Sequence, residues 1–471
     1  GVSALESFAV IAKPNPKDKP MLTRSASLRS AAFAAVLGAL ALTACSSGSS
    51  DPFVGFGPSP PLPNPQKSLI PILGAPKAVG WPADAAPKAP PGFVVTRFGQ
   101  GIDHPRWLHV LPNGDVLVAQ SSSEPKPAKT LRAWVQGKIM KRVGSTQKSP
   151  NRITLLRDAN GDGVAELKTT FAEGLKRPFG IALAGGYLYV ANDDGVVRFP
   201  YRDGQTRAEG APEPVFKLPG EPRNHHWTKN VVATPDGARL FATVGSNSNI
   251  GENGMDIEEG RAAIWTYDIA GRGLRLYATG LRNPNGMAFE PQTGQLFTVV
   301  NERDEIGNDL VPDYLTSVRD GGFYGWPYSY WGKTVDTRVK PPRPELVATA
   351  TPPDYGLGAH TASLGLTFYT GQAFPQAWRG GAFIGQHGSW NRRPLAGYRV
   401  VFVPFAGGRP QMPAKEFLTG FLNDKGQIQG RPVGVAVDAR GGLLVADDVG
   451  DMVWRVMPAA SAAPPASGPA T

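Results

Sequence analysis

One pattern returns six times along this chain, and no other feature restricts its fold as much. A polar or basic residue, often beside a proline, opens a short apolar stretch; a turn and a second apolar stretch follow. The first copies are His104-Pro105-Arg106-Trp107-Leu108-His109-Val110 with 116–119, Arg177-Pro178-Phe179-Gly180-Ile181-Ala182 with 187–191, and 226–232 with 240–244. Then come Arg282-Asn283-Pro284-Asn285-Gly286-Met287-Ala288 with 296–300, 363–369 with 382–385, and Arg431-Pro432-Val433-Gly434-Val435-Ala436 with 443–446. Asn113-Gly114, Gly185-Gly186 and Asp236-Gly237 between paired stretches are hairpin turns. Six hairpin units with no helical period between them predict an all-β chain folded as a six-bladed β-propeller. A β-sandwich would also show hairpins, but it would not repeat the same strand opener. Inserted loops, the longest at 301–353, make the spacing uneven.

The 57 glycines and 46 prolines in 471 residues serve these turns, and a hydrophobic share of 41% suffices for a core. The net charge of +10 invites a nucleic-acid reading, but the basic residues recur singly at the openers, with no run of five, so no nucleic-acid partner is expected. The single cysteine ends Leu42-Thr43-Ala44-Cys45, after an apolar stretch at 31–42 and a basic start with Arg24 and Arg29. This is the layout of a secretion signal, and it resembles the bacterial lipobox, in which the thiol is acylated and becomes the mature N-terminus. Residues 1–45 are therefore expected to be an upstream segment plus lipoprotein signal peptide, with Met21 the natural start. The apolar stretch is short for a membrane span. Ser46 is not an aspartate retention signal, so the expected place is the periplasmic side of a bacterial envelope, lipid-anchored in the outer membrane. Residues 46–91, rich in Pro, Ser and Ala, predict an extended tether; 92–458 are the propeller and 459–471 a flexible tail. No CxxCH haem attachment, cysteine metal cluster or disulfide framework is encoded.

In a propeller the innermost strand of each blade lines the channel, so the strand openers converge at one mouth. Here they include Arg106, Arg177, His226, Arg282 and Arg431. Each arginine could pair with a carboxylate of a neighbouring blade, yet a whole ring of cations predicts an anionic ligand. An imidazole such as His226 titrates near neutrality and can take a proton from a hydroxyl; a structural histidine is the alternative. Strand alternation would send His225 to the other side. Asp158-Ala159-Asn160-Gly161-Asp162-Gly163 looks like a calcium loop, but Thr169 holds the twelfth position, which excludes an EF-hand; a hairpin turn is favoured over a structural calcium site.

Five further motifs occur in order: His226 nine residues before Pro235-Asp236-Gly237, Gly280-Leu281-Arg282-Asn283-Pro284-Asn285-Gly286, Asn301-Glu302-Arg303-Asp304, Gly321-Gly322-Phe323-Tyr324-Gly325-Trp326-Pro327 and His387-Gly388-Ser389-Trp390-Asn391-Arg392. On these the chain, from 92 to 456, resembles the sorbosone dehydrogenase and soluble quinoprotein glucose dehydrogenase family of pyrroloquinoline quinone (PQQ) propellers. The resemblance implies bound PQQ and Ca2+, with His226 the general base and Arg282 and Asn283 beside the quinone, Arg282 stabilising charge on its oxygen. It implies that Glu302, Arg303 and Asp304 hold calcium, largely through backbone carbonyls, and that Asn301 and Arg303 flank the cofactor. Trp390, Arg392 and Arg431 would supply further cofactor contacts. Thr370 stands where soluble glucose dehydrogenases place a cofactor-contacting lysine, and the sorbosone type is the better match through Asn301-Glu302-Arg303-Asp304 and His387-Gly388-Ser389-Trp390. The implied substrate is a sugar, sugar aldehyde or polyol, and the electrons would pass to an external cytochrome or quinone. Two rival readings are a metal-dependent sugar lactonase of the gluconolactonase kind, which needs a carboxylate and amide cluster at the mouth, and a non-catalytic envelope binding propeller.

Overall fold

The inner two strands of every blade are the hairpins of the sequence pattern. They are seen in a computed structural model that describes residues 48–66, 75–123, 131–221 and 223–459. Blade 1 is Pro105–Val110, Val116–Gln120, Arg152–Arg157 and Leu167–Ala172; blade 2 is Ile181–Ala184, Tyr187–Asn192, Gly195–Pro200 and Glu213–Lys217. Blade 3 runs Val231–Ala233, Arg239–Val244, Ala263–Asp268, Leu274–Thr279, and blade 4 runs Pro284–Phe289, Leu296–Val300, Pro312–Ser317, Tyr355–Ala359. Blade 5 is Ser363–Phe368, Gly381–Gln386, Arg399–Ala406 and Lys415–Leu418. Blade 6 has only three strands of its own, Pro432–Val437, Leu443–Asp447 and Met452–Pro458; its fourth is Phe93–Gln100, from before blade 1. That strand pairs Phe93 with Pro458 through to Gln100 with Met452, so the two ends of the domain close the ring together.

The antiparallel order decides which loops meet. Each first strand leaves the mouth and each second strand returns to it, as Pro105 opposite Gln120, Ser363 opposite Gln386 and Pro432 opposite Asp447 show. Loops between second and third strands therefore rise on the mouth face, and loops between third and fourth strands lie on the opposite face.

The glycine three or four residues after several openers has a spatial reason. A Cβ on Gly286 would come within 2.7 Å of the Leu364 carbonyl oxygen, and one on Gly434 within 2.7 Å of that of Arg106. Neighbouring inner strands pack backbone to backbone around the channel. Outside them the core fills the spaces between blades, as where Trp107 of blade 1 meets Phe179 at 5.1 Å.

The segment expected to be an extended tether is laid along the propeller wherever it is described. Phe56–Gly57 adds to the outer edge of blade 4, Arg399 donates to the Pro52 carbonyl at 2.6 Å, and Ala78 and Lys88 bridge to Ile428 and Thr419. Trp81 donates to Asp447 at 2.6 Å and stacks edge-on against Phe421 and Trp454. Proline-rich chain cannot form its own ladder, but blade edges offer it partners. The lipobox cysteine and the apolar stretch before it lie outside the described residues, as does the tail after Ala459. Among the described residues no helix is long and apolar enough to cross a membrane.

Candidate active site

The openers meet at the mouth as expected, but protein groups have already taken up most of their charge. Arg106 donates to Asp448 Oδ2 at 2.5 Å, where His387 Nε2 also sits at 2.8 Å and His104 Nε2 at 3.5 Å. Arg177 pairs with Asp193 of its own blade. The Arg106 and Arg177 guanidinium groups both lie over the Trp227 ring, at 5.9 and 5.3 Å. Arg431 donates to the carbonyls of His387 at 2.9 Å and Gly388 at 2.7 Å, and to Ser145 Oγ. The uncompensated ring predicted from sequence is thus corrected: carboxylates and carbonyls at the ends of second strands neutralise it locally. Burial would raise the Asp448 carboxyl, but the charges His387 and His104 carry once protonated, the His387 hydrogen bond and the Arg106 guanidinium outweigh it and hold it well below the usual carboxylate range. Burial also keeps the two imidazoles neutral, lowering His104 to about 4 and His387 to about 3.

The other side of the mouth is built around His226. Its Nδ1 lies 2.8 Å from the Ser246 carbonyl oxygen, which makes Nδ1 the protonated nitrogen and leaves the lone pair on Nε2. Burial, the Arg282 charge and His225 push its pKa well below the ordinary value, so the imidazole is neutral at physiological pH. His225 and His226 do not alternate, because they occupy a bend ahead of the inner strand, and their rings stand edge-on 4.7 Å apart. His225 is exposed, yet the protein packed against one side of its ring, then the charges of Arg282 and Arg223, lowers it to about 4. A Cβ on Gly245 would sit 2.5 Å from His226 Cβ and 2.4 Å from Asn283 Oδ1, so this glycine lets the two side chains close together.

Arg282 spends every donor on protein. Nε reaches Asn249 O at 3.1 Å, Nη1 reaches Asn301 O at 3.3 Å and Glu302 O at 2.6 Å, and Nη2 reaches Asn249 Oδ1 at 3.0 Å and Asp304 Oδ2 at 3.3 Å. A guanidinium has five N–H bonds, so none is left for a cofactor oxygen. The direct contact implied by the resemblance is corrected to a positioning role: Arg282 ties the mouth loops of blades 3 and 4 together and contributes charge from behind. Asn301 sits at the mouth, donating to the Ser363 carbonyl of blade 5 at 2.6 Å.

Glu302, Arg303 and Asp304 do not present side chains to a cation. Arg303 is fully buried, held by Glu302 Oε2 at 3.0 Å, Asp336 at 3.1 Å and the carbonyls of Pro327 and Ser329. Asp304 Oδ1 accepts from Asn391 at 2.9 Å and from His360 Nδ1 at 3.1 Å, and the second ring nitrogen of His360 donates to Gly307 O at 2.8 Å. With both ring nitrogens facing acceptors, His360 is raised despite burial, by the Asp304 hydrogen bond and charge. Any cation held by this segment would rest on backbone oxygens. Arg392, likewise, is turned to the docked N-terminal segment, donating to Ser49 O at 3.0 Å and Asp309 at 2.6 Å, so its implied cofactor contact is corrected too. Trp390 is a half-buried wall residue packed with the cluster that contains Tyr398 and Val143. Thr370 lies past the far end of blade 5's inner strand, on the face opposite the mouth, out of reach of a cofactor held there.

Buried polar atoms without a hydrogen-bond partner at the mouth end of the blades include Arg106 Nε, Asn283 Oδ1, Asp448 Oδ1 and the Asp193 carboxylate, whose charge Arg177 nonetheless meets. Buried polar atoms are rarely left so, and a polar, anionic ligand with both acceptors and donors would satisfy them. A carboxylate of PQQ would suit the Arg106 donor, whereas the unpartnered oxygens call for donors instead. Asp158, Asp162 and Glu166 are the one cluster of three potential metal-ligating side chains among the described residues, and they lie between the third and fourth strands of blade 1, away from the mouth. Asp158 there accepts the Gly161 and Gly163 amides, as a hairpin turn requires.

Asp448, His360 and Asn249 were not picked out by sequence reasoning, and His387 was named only as the start of a motif, without a role. One signal could have found Asp448 and a role for His387: a polar residue directly after a second strand must stand at the mouth, and Asp193, His387 and Asp448 all follow such strands.

With this geometry in view, the comparisons agree. The family profile for glucose/sorbosone dehydrogenase matches residues 102–389, more than half of the chain, and a second, TrAA12-like profile matches 346–458. The chain belongs to the glucose/sorbosone dehydrogenase family. That membership makes it an oxidoreductase of the PQQ-dependent sugar dehydrogenase class. An uncharacterized protein of Borreliella burgdorferi is 26% identical over 335 residues, 67% of this chain and 87% of its own. A pyrroloquinoline quinone-dependent pyranose dehydrogenase of Coprinopsis cinerea is 26% identical over 294 residues, 49% of this chain and 39% of its own length. Among solved structures, the holo PQQ domain of the pyranose dehydrogenase from Coprinopsis cinerea superimposes with a TM-score of 0.64 at 21% identity, covering 82% of this chain and 98% of that one. A calcium structure of the Trichoderma reesei family AA12 enzyme gives 0.64 at 20% identity, covering 79% and 97%. At these identities the superpositions establish the shared fold.

Proposed function

We propose that this glucose/sorbosone dehydrogenase family member oxidises a sugar, a sorbosone-like sugar aldehyde or a polyol with PQQ and calcium, handing the electrons to an external acceptor. The observation that carries this reading is the His226 tautomer: a neutral imidazole with Nδ1 held by the Ser246 carbonyl and a basic Nε2, beside the partnerless Asn283 Oδ1. PQQ, when bound with calcium, supplies a quinone that accepts a hydride and is polarised by the cation. His226 Nε2 takes the proton from the substrate hydroxyl, or from that of a hydrated aldehyde. The Ser246 carbonyl then stabilises the imidazolium through Nδ1–H. Arg282 holds the Asn301–Asp304 loop against blade 3, and Arg431, whose guanidinium is bonded to carbonyl and hydroxyl oxygens, keeps positive charge at the mouth. The lactonase reading has less support, because the described carboxylates at the mouth are already paired with Arg106, Arg177 and Arg282.

Reconstitution with PQQ and Ca2+, followed by dye reduction over a panel of aldoses, sugar aldehydes and polyols, tests the reading. Turnover that needs both additions is expected. No reduction with any of them reopens the lactonase and binding-module readings. The periplasmic, lipid-anchored location remains part of this proposal and rests on Cys45 in its lipobox-like setting. A Cys45→Ser protein expressed in bacteria is expected in the soluble periplasmic fraction; retention in membranes would end the anchor reading.

A further inference from the structure

On the mouth face, beside the channel, lies an open cleft of about 500 Å³ lined by Lys77, Arg142, Arg393 and Lys425, with Pro394 and Leu395 as apolar wall. Among the described residues no carboxylate lines it. Its four cations come from four separate segments: the docked N-terminal stretch, the insertion between the second and third strands of blade 1, the equivalent loop of blade 5, and the turn leading to blade 6. Strand direction puts the last three loops on the mouth face, and Ala78 bridges to Ile428 of the last one. All four basic residues are exposed.

We propose that this cleft is the docking surface for an acidic one-electron carrier protein, the oxidant that returns the site to its resting state; the proposal rests on the dehydrogenase reading above. With a one-electron carrier as the acceptor, each two-electron substrate oxidation is followed by two one-electron transfers to two carrier molecules, with release of two protons. A carrier has to dock near the mouth, and the cleft is joined to it. Arg142 ends the helix Leu131–Arg142, and the next residues turn into the site, where Val143 O and Ser145 Oγ accept from Arg431. Leu395 belongs to the same packed cluster as Val143 and Tyr398, and the Arg431 guanidinium lies over the Tyr398 ring at 5.6 Å.

The chemistry of the rim suits a transient protein partner. The helix Leu131–Arg142 carries Lys138, Lys141 and Arg142 with no acidic residue, and Trp134 is 49% exposed with Lys138 Nζ 4.0 Å from its ring centroid. Exposed cations cost little desolvation, speed encounter with an opposite patch and release it readily, while an exposed tryptophan gives such a contact an apolar anchor. A small tightly held anion would instead call for buried, preorganised donors.

The test uses a mitochondrial-type cytochrome c in two forms, unmodified and basic or succinylated and acidic, with a neutral benzoquinone as the small acceptor. Binding of both cytochromes to the immobilised full chain is measured by surface plasmon resonance, independently of turnover. Lys77→Glu/Lys425→Glu is compared with a charge-matched control on the opposite face, Arg207→Glu/Arg319→Glu. The wild type is expected to bind and reduce the succinylated form better than the basic one, with the preference collapsing as salt rises from about 20 to about 500 mM. The cleft variant should lose at least about tenfold in affinity and kcat/KM for the succinylated form, while benzoquinone turnover and the control variant stay at wild-type level. Equal losses in both variants, or none in the cleft variant, would overturn the proposal. So would loss of binding to phosphatidylglycerol vesicles with cytochrome binding intact, which would assign the cleft to an anionic membrane surface. Absence of benzoquinone reduction would count against the dehydrogenase reading alone, because docking is still read from the binding data.

Discussion

At the scale of single residues, the proton-accepting atom is specified by one backbone carbonyl. Because Ser246 O fixes Nδ1–H, His226→Asn keeps a donor near that carbonyl but offers no basic nitrogen. Loss of a general base typically costs about 10²–10⁴ in rate, so His226→Asn and His226→Ala should turn over at least about a hundredfold more slowly. Their PQQ loading, checked spectrally, should match wild type, and His225→Ala should lose much less. Near wild-type turnover by a fully loaded His226 variant would remove it from the chemistry. The pH profile gives a second check on the same atom. Protonation of His226 abolishes the base, and its pKa lies well below 6.5, so the acid limb of kcat/KM should fall on the acid side of 6.5 with a plateau through neutrality. A half-maximal point at or above 6.5 would contradict the environment drawn around His226.

At the scale of elements, the clamp made by Arg282 is the feature to break. It joins the loop at Asn249 in blade 3 to Asn301–Asp304 in blade 4 through a planar fork. Arg282→Lys keeps the charge but cannot reproduce two-sided donation, so it should lower PQQ affinity by about one to two decades, nearly as much as Arg282→Ala. Full rescue by lysine in a PQQ titration would show that charge alone matters. The hairpins, their order and the convergence of openers were legible because inner strands must be short, apolar and bounded by turns. His226 was legible because it opens one of those strands. The pairing of each arginine was not, because it joins residues far apart in sequence: Asp448 reaches Arg106 across the ring closure, and Ser49 reaches Arg392 from the supposed tether. The face that Thr370 reaches was not legible for a related reason. Position along a strand, not similarity of neighbouring letters, decides which face a residue reaches.

At the scale of the whole molecule, the ring is held shut at blade 6, and Asp447 is where the closing pieces meet. Its Oδ2 accepts from Trp81 at 2.6 Å and Trp454 at 3.0 Å; its Oδ1 accepts from the amides of Arg431 at 2.7 Å and Gly450 at 2.9 Å. One carboxylate thus binds the docked N-terminal segment, the third strand of the closing blade, the opener of its first strand and a mouth turn. Asp447→Asn places an amide donor against at least one of those donors, leaving N–H groups unsatisfied in a buried site. The expected loss is about 2–3 kcal/mol, seen as a lower thermal midpoint. The pH dependence distinguishes this from a general packing defect. Burial raises the Asp447 carboxyl to about 6, against the hydrogen bonds from Trp454 and Trp81 that lower it. A raised carboxyl pKa means that the folded state binds the proton more tightly than the unfolded chain. Its contribution to stability is therefore fully present below about 4, declines as pH rises toward 6, and is constant above that. The wild-type advantage over Asp447→Asn should narrow between pH 4 and pH 6 and hold steady from 6 to 8 in denaturant titrations. An advantage that instead widens across pH 4 to 6 would mean that the native state favours the ionised carboxylate, with its four donors outweighing burial.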